Sequence, residues 1–455
     1  MLRVMTIGID PARLATMRKR EEALMAKRSP RSAAMLQRAH RSMPNGVPMA
    51  WMSGLYRFAP IFAQSGDGPA FTDIDDNRYL DFNLCDLSVT MGFNHPAIVG
   101  AVSSQIARGA HFLLPTKDAV TVTELLAQRV GVPFWQFTLS ASGANTEVIR
   151  LARAFTRRDK VVVFDGHYHG HIEETLVKTE GPRSVPALEG LSLDAARHTV
   201  IVPFNDLEAL DRALTEKDVA LVLTEPALTN CNVVLPQKGF LDGVRAITRR
   251  YGTLLCLDEA HTFQFAYGGL ARAWDARSDF VVLGKGFGTG ISFGLYGMSD
   301  EVGKFFRDRA DIDIGPAGIA TGGTLYASAI AAAAARAALE EVLTPASYAS
   351  VSALGEALAG GLERLFHKHG LNWRAFRCGP RSGYCLAGNL PRNGREAGES
   401  LNADFIDTRR LFMANRGIWD AVASAGPQAS FAHQRADIAH YLQVAESFLQ
   451  DLAGG

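Results

Sequence analysis

Short, almost uninterrupted apolar stretches recur in the middle of the chain, and polar or amphipathic stretches of helical period separate most of them. Strands of a parallel sheet have this continuous apolar character because helices cover them on both faces. The pattern therefore predicts an α/β fold with a mostly parallel (mixed) central sheet and helices on both faces. The predicted strands are Phe134–Leu139, Lys160–Phe164, Thr199–Val202, Ala220–Thr224, Thr253–Leu257, Phe280–Leu283 and Phe293–Gly297.

The two ends of the chain follow other patterns. Residues 10–42 have the composition of a polar helix, and the stretch Phe71–Phe82 has the turn residues of a β-hairpin. A long helix is predicted from about Ser328 to Leu343. We therefore predict three parts: an N-terminal helical arm (1–70), a large ligand-binding domain (71–327), and a connecting helix with a smaller α+β domain contributed by the chain ends (328–455).

Composition excludes several classes of partner. Lys plus Arg number 47 and Asp plus Glu number 47, so no net field attracts nucleic acid or a membrane surface. Five Cys lack any C-x-x-C pair, which is typical of a reduced, cytoplasmic protein without a metal site. No apolar segment has the length of a membrane span.

Candidate chemistry lies where the predicted strands end. Glu225 follows one strand, Asp258 and His261 follow the next, and Lys285 follows the third within a glycine-rich turn. In such sheets the ligand binds beyond the carboxyl ends of the strands. A desolvated lysine at this edge can form a Schiff base with a carbonyl group, and a nearby aspartate can pair with a cationic ring nitrogen. Considered alone, Lys285 could equally be a solvated lysine in a turn. Asp258 alone could cap the segment that follows its strand.

These motifs, in this order and spacing, resemble the class III aminotransferases of pyridoxal-phosphate (PLP) fold type I, a family that includes glutamate-1-semialdehyde aminomutase. The resemblance covers about residues 71–343. It is carried by Tyr79-Leu-Asp-Phe82, Phe164-Asp-Gly-His-Tyr-His-Gly170, Thr224-Glu-Pro226, Leu257-Asp-Glu-Ala260, Leu283-Gly-Lys285 and Gly323-Thr324.

The resemblance implies PLP as cofactor, the domain 71–327 as its binding domain, and a role for each matched residue. Lys285 would carry PLP as a Schiff base, and Asp258 would pair with the pyridine nitrogen. Tyr168 and Ala260 would contact the two ring faces. Glu225 would lie near the ring, with a purely structural role as its alternative. Thr324 would reach the cofactor phosphate of a neighbouring subunit, which implies a homodimer with shared sites. His261 stands where many relatives carry Gln, close to the cofactor's phenolic oxygen; a structural role is its alternative.

The phosphate-binding turn departs from the family. Relatives carry Ser-Gly-Thr-Glu-Ala, and an ungapped alignment places Ser140-Ala-Ser142-Gly-Ala144 there. The backbone amides of Ala141 and Ser142 and the Ser142 hydroxyl can still bind phosphate at a helix N-terminus. Ser140 and Ser142 also suit ordinary capping of the same helix.

The substrate is less well specified. No Arg occurs between Ala421 and His433, the region where many relatives bind a substrate carboxylate. Arg57 is the substitute we predict, with Trp51 lining the pocket; a surface Arg and a core Trp are the alternatives. Transamination between an amino donor and a keto or aldehyde acceptor is the first predicted reaction. An aminomutase, racemase or retro-aldol lyase is the alternative, and a catalytically silent homologue is a third.

Overall fold

The computed structural model describes residues 9–55, 61–181, 183–309, 318–422 and 426–454. Its strands are β1 Ala63–Asp67, β2 Ala70–Asp73, β3 Arg78–Asp81, β4 Phe134–Thr138, β5 Lys160–Phe164, β6 Val177–Glu180, β7 Arg183–Pro186, β8 Thr199–Val202, β9 Val219–Thr224, β10 Leu254–Asp258, β11 Phe280–Leu283, β12 Gly294–Met298, β13 Arg374–Cys378, β14 Arg381–Cys385 and β15 Ile418–Trp419.

The α-helices are α1 Pro11–Arg28, α2 Pro30–Ala39, α3 Ala50–Leu55, α4 Leu84–Leu87, α5 Pro96–Ile106, α6 Lys117–Val130, α7 Ala141–Thr156, α8 Leu193–Arg197, α9 Leu207–Leu214, α10 Phe240–Tyr251, α11 Leu270–Ala273, α12 Asp300–Arg307, α13 Ala329–Ala337, α14 Pro345–Lys368, α15 Gly394–Glu399, α16 Ala403–Ala414 and α17 Arg435–Ala453. Three short segments are 3₁₀ helices: Pro44–Gly46, Thr262–Gln264 and Lys285–Gly288. Ala338–Val342 forms a π-helical turn. No helix of the described ranges combines the length and the apolarity that crossing a bilayer requires.

The chain forms two compact units. Unit 1 comprises residues 1–95, 350–390 and 399–455, and unit 2 comprises residues 96–349 and 391–398. The domain limits predicted from the sequence stay predictions.

Unit 2 contains a seven-stranded sheet in the order β4-β12-β11-β10-β9-β5-β8. Only β12 runs antiparallel to its neighbours, so the mostly parallel, mixed sheet expected from the apolar pattern is confirmed. Along β5, Val161 and Val163 pack into one core while Val162 and Phe164 pack into another. Because both faces of the strand are buried, its sequence is apolar at every one of these positions.

The topology brings several loops to one edge of this sheet. β4, β5, β9, β10 and β11 all run in the same direction, so their carboxyl ends lie side by side. The segments that follow these five strands carry nearly all of the predicted cofactor contacts. The sheet therefore positions the candidate site by strand direction alone.

Unit 1 contains the predicted hairpin, in which Phe71 pairs with Tyr79, within a sheet of order β1-β2-β3-β15. Its core packs α14, α16 and α17 around buried aromatic side chains. The polar helix expected over residues 10–42 is two helices, α1 and α2. It breaks at Ser29 because Pro30 disfavours helical backbone in the residue before it. In unit 2, the helix expected from Ser328 onward changes from α to π geometry after Ala337.

Candidate active site

The Lys285 turn follows β11 at the carboxyl edge. Lys285 itself adopts a left-handed backbone, with φ of 48°, which is strained for a residue with a side chain. Gly284 precedes it and packs directly on the start of α7. A Cβ at Gly284 would lie 2.9 Å from the Ala141 Cβ and 3.0 Å from the Ala141 amide nitrogen. The Lys285 turn and the N-terminus of α7 are therefore in contact, and only glycine permits that closeness.

The N-terminus of α7 forms the predicted phosphate-binding turn. Ser140 caps the helix by accepting a hydrogen bond from the Gly143 amide at 3.1 Å. The Ser142 hydroxyl accepts one from the His171 amide at 3.0 Å. Gly170 lies so close that a Cβ there would be 2.2 Å from the Ser142 Oγ. The first amides of this 16-residue helix carry the positive end of its dipole, so the turn suits an anion.

Asp258 ends β10, and three hydrogen-bond donors hold its carboxylate. Its Oδ2 accepts hydrogen bonds from Asn145 Nδ2 at 2.7 Å and from His169 Nδ1 at 2.9 Å. Its Oδ1 accepts one from the Ala260 amide at 3.0 Å. The residue is buried, so these three donors fix the carboxylate in one orientation.

Three consecutive residues after β5 present different surfaces. Tyr168 is 42% exposed, between two histidines whose rings stack with centroids 5.5 Å apart. Both ring nitrogens of His167 face carbonyl oxygens, those of Phe164 and Thr175, and burial lowers the pKa of His167 to about 4. Tyr168 is thus an exposed ring between two histidines that are themselves hydrogen-bonded. His169 Nε2 is buried, and it has no hydrogen-bond partner among the described residues.

A second polar cluster lies beyond β9 and β10. Thr229 stands between Glu225 and His261: its hydroxyl donates to Glu225 Oε2 and lies 2.6 Å from His261 Nδ1. All three side chains are buried. Burial raises the pKa of Glu225 to about 7, whereas His169 and the Thr229 hydroxyl act in the opposite direction.

Thr324 lies apart from these clusters in an exposed turn. The segment before it is tied to α7, because Arg150 donates to the Ala320 carbonyl at 2.7 Å and the Gly322 amide donates to Glu147 at 3.5 Å. Its exposure leaves Thr324 available to another molecule.

Of the two predicted substrate contacts, Trp51 lies on α3 of unit 1 with half of its side chain exposed. Arg57 lies outside the described residues. Apart from Thr324, the predicted cofactor contacts are brought to the carboxyl edge of the unit 2 sheet: Ser140, Ala141, Ser142, Tyr168, Glu225, Asp258, Ala260, His261 and Lys285.

Two functional candidates were not predicted from the sequence. Asn145 is fully buried within α7 and bonds Asp258, and Thr229 joins Glu225 to His261. The sequence could have indicated Asn145, because a polar residue on the apolar face of a helix requires a buried hydrogen-bond partner. Thr229 carried no such signal because it follows the strand in a loop.

Comparisons with known proteins agree with one another. The profile of the family described as aminotransferase class-III matches residues 53–377. Glutamate-1-semialdehyde 2,1-aminomutase 1 of Staphylococcus carnosus is 32% identical over 419 residues, which cover 90% of this chain and 95% of that protein.

Two solved structures give the same picture. A glutamate-1-semialdehyde-aminomutase variant from Pseudomonas aeruginosa PAO1, in complex with PMP, has a TM-score of 0.93 and 35% identity, covering 98% of this chain and 100% of that one. A β-phenylalanine aminotransferase from Variovorax paradoxus has a TM-score of 0.85 and 25% identity, covering 96% and 97%. The likeness thus extends over both units of the chain.

Proposed function

Because this chain belongs to the class-III aminotransferase family, and is therefore a PLP-dependent enzyme, we propose that it is an aminomutase that moves an amino group between adjacent carbons of a small amino aldehyde. The observation that carries the proposal is the similarity, over nearly the whole chain, to proteins named glutamate-1-semialdehyde aminomutase. That similarity favours the aminomutase alternative over the transamination first predicted from the sequence.

The residues at the carboxyl edge fit PLP. Its phosphate suits the amides at the start of α7, where Gly170 and Gly284 hold the turn in place. Its ring nitrogen suits the carboxylate of Asp258, which three donors already orient. The exposed ring of Tyr168 suits stacking on one face of the cofactor.

We assign the steps to side chains as follows. PLP, when bound, withdraws electrons from the carbon that carries the amino group. Asp258 holds a proton at the ring nitrogen, which maintains that withdrawal. Lys285 Nζ takes a proton from the amino-bearing carbon and returns it to a neighbouring atom. Asn145 and His169 keep Asp258 in place during these transfers. His261 follows Ala260 at the same strand end, and its Nδ1 contacts the Thr229 hydroxyl.

Transamination is the second candidate. It is favoured by the likeness to the β-phenylalanine aminotransferase, which spans nearly the whole chain. An aminomutase keeps its substrate until the amino group has moved, whereas a transaminase releases a carbonyl product and needs a second substrate. The two functions therefore differ in what the enzyme requires for repeated turnover.

The deciding experiment supplies glutamate-1-semialdehyde to enzyme in the pyridoxamine form, without any other amino donor or acceptor. An aminomutase converts many equivalents to the isomer with the amino group on the adjacent carbon. A single turnover that resumes only when a separate amino donor is added would overturn the proposal in favour of transamination. Matched assays with single enantiomers and with aldol donors test the racemase and lyase alternatives.

We also propose a homodimer with shared sites. In unit 2, Ile106, Leu113, Leu114 and Leu325 are each more than half exposed. The Ile330 amide donates to the Ala110 carbonyl at 3.4 Å, which brings the two segments that carry these residues together. A concentrated exposed apolar surface marks a protein interface. Thr324 lies at this surface beside Leu325, so a second copy covering it would meet Thr324. The cytoplasmic location stays a prediction.

A further inference from the structure

We propose that Thr229 is a positioning residue that joins Glu225 and His261 in one chain of hydrogen bonds. In this chain, the charge state of Glu225 selects which ring nitrogen of His261 carries a proton. The proposal rests on the proposed function only where it gives His261 a task in the reaction. We refer to the three residues as the Glu225–Thr229–His261 chain.

The geometry requires the threonine. Glu225 Oε2 and His261 Nδ1 are 4.0 Å apart, which is too far for a direct hydrogen bond. The Thr229 hydroxyl lies between them, within hydrogen-bond distance of both atoms. Its loop is pinned, because Leu228 and Val234 exchange two backbone hydrogen bonds of 3.0 and 2.9 Å. The hydroxyl is therefore held at this point and does not sample other positions freely.

A hydroxyl has one proton, so it cannot donate to both neighbours. When Glu225 is ionised, Thr229 donates to the carboxylate, and His261 Nδ1 must donate to Thr229; Nε2 is then an acceptor. When Glu225 is neutral, its own proton goes to the Thr229 oxygen, Thr229 donates to Nδ1, and Nε2 carries a proton. His261 thus presents an acceptor in one state and a donor in the other.

The change between the two states moves one proton into the chain and conserves all others. A proton enters at His261 Nε2, the Nδ1 proton passes to Thr229, and the hydroxyl proton passes to Glu225. The reverse sequence releases a proton at Nε2. The chain is therefore a proton reservoir whose outer end is His261 Nε2.

The surroundings of Glu225 allow it to change charge. His169 lowers the pKa of Glu225, and Asp258 raises it. The side-chain amide of Asn230 lies 3.4 Å from Glu225 Oε1. Cys231 is also close, but burial raises the pKa of its thiol far above the neutral range, so it stays neutral. Burial of Glu225 has the largest effect and raises its pKa to about 7, where a proton can enter or leave under assay conditions.

The first test follows the visible absorption of the resting holoenzyme as pH is varied, without substrate. Wild type should show an inflection near pH 7, and Glu225→Gln should show none. Thr229→Val keeps the shape but removes the donor that stabilises the ionised carboxylate. Because valine also breaks the link between Glu225 and His261, the ring no longer follows the charge of Glu225, and the inflection near pH 7 should be lost. Thr229→Ser restores the hydroxyl and should restore the wild-type inflection.

A second test follows the protonation of the His261 ring nitrogens by NMR. It uses the full-length chain freed of cofactor and labelled with ¹⁵N-histidine. His261→Asn identifies the signal. Below pH 7 the signal should show an unprotonated Nδ1 and a protonated Nε2. Above pH 7 it should show a protonated Nδ1 and an unprotonated Nε2. A doubly protonated ring below pH 7, or a Thr229→Val titration identical to wild type, would overturn the proposal. This titration is independent of the aminomutase assay, so the two proposals can fail separately.

Discussion

Asn145 donates a 2.7 Å hydrogen bond to Asp258 across 113 positions of sequence. The helix that carries Asn145 also begins at the Ser140 turn, so the predicted phosphate site and the predicted ring-nitrogen partner are set by one rigid element. His169 Nδ1 bonds the same carboxylate oxygen at 2.9 Å. The position of Asp258 is therefore fixed before any ligand arrives, which lowers the cost of binding and reaction.

Removing the charge of Asp258 should slow proton removal strongly. Breaking a buried ion pair costs about 3–5 kcal/mol, so Asp258→Asn should reduce the rate by about 10²–10⁴-fold. Asn145→Ala removes one hydrogen bond to a charged group and should cost about 10–150-fold. Stopped-flow absorbance with substrate measures both.

Thr156→Ala is the matched control for these variants, since it removes a side-chain hydrogen bond at the far end of the same helix. It should leave the rate unchanged. Near wild-type rates in Asp258→Asn, with the cofactor bound, would remove that residue from the mechanism.

Lys285→Ala should abolish turnover and the visible absorption band, because no amine remains to attach the cofactor. Borohydride treatment of the wild type, followed by peptide mapping, should place the reduced adduct on Lys285. Lys304→Ala, in the exposed surface of α12, is the control and should keep both properties. An adduct on a different lysine would show that the assignment is wrong.

Gly284→Ala should weaken PLP binding. The added methyl group would meet Ala141 at 2.9 Å and would push the Lys285 turn away from α7. Overpacking of this kind costs about 1–3 kcal/mol, which predicts a loss of about 5–150-fold in affinity by spectroscopic titration. Gly100→Ala is the control, because nothing lies within 4 Å of its added Cβ. Equal affinities in the two variants would contradict the close contact.

Leu114→Asp should dissociate the proposed dimer, since it places a charge within the exposed apolar surface of unit 2. Sedimentation at assay concentration should show a dimer for wild type and a monomer with weaker cofactor binding for the variant. Leu193→Asp, at an equally exposed leucine on α8, should stay dimeric. A fully active wild-type monomer would remove Thr324 from the site.

Arg57→Ala tests the predicted carboxylate contact. Losing a hydrogen bond to a charged group costs about 1.5–3 kcal/mol, so kcat/KM should fall about 10–150-fold on a carboxylate-bearing substrate. A matched substrate without the carboxylate should be little affected. Equal losses on both substrates would show a structural role for Arg57, and no loss on either would leave the carboxylate to another group.

The sequence by itself determined the sheet and the edge at which the candidate site lies. Continuous apolar strands require burial on both faces, and this requirement leads to a mostly parallel sheet with its site beyond the carboxyl ends. Because Asp258 and Lys285 follow their strands directly, their positions at that edge could be predicted from strand order. The pattern of residues 10–42 suggested one helix. Pro30 could have predicted the break that the structure shows at Ser29.

The tertiary structure alone decided how these residues are held. Asn145 and Asp258 lie far apart in sequence, and their contact depends on how α7 packs against the sheet. Thr229 reaches His261 only because the Leu228–Val234 bridge folds its loop back. Local propensity and hydrophobic periodicity predict only the structure formed by residues that are close in sequence. A buried polar network is fixed instead by packing between distant segments, because each donor must find its acceptor in the folded interior.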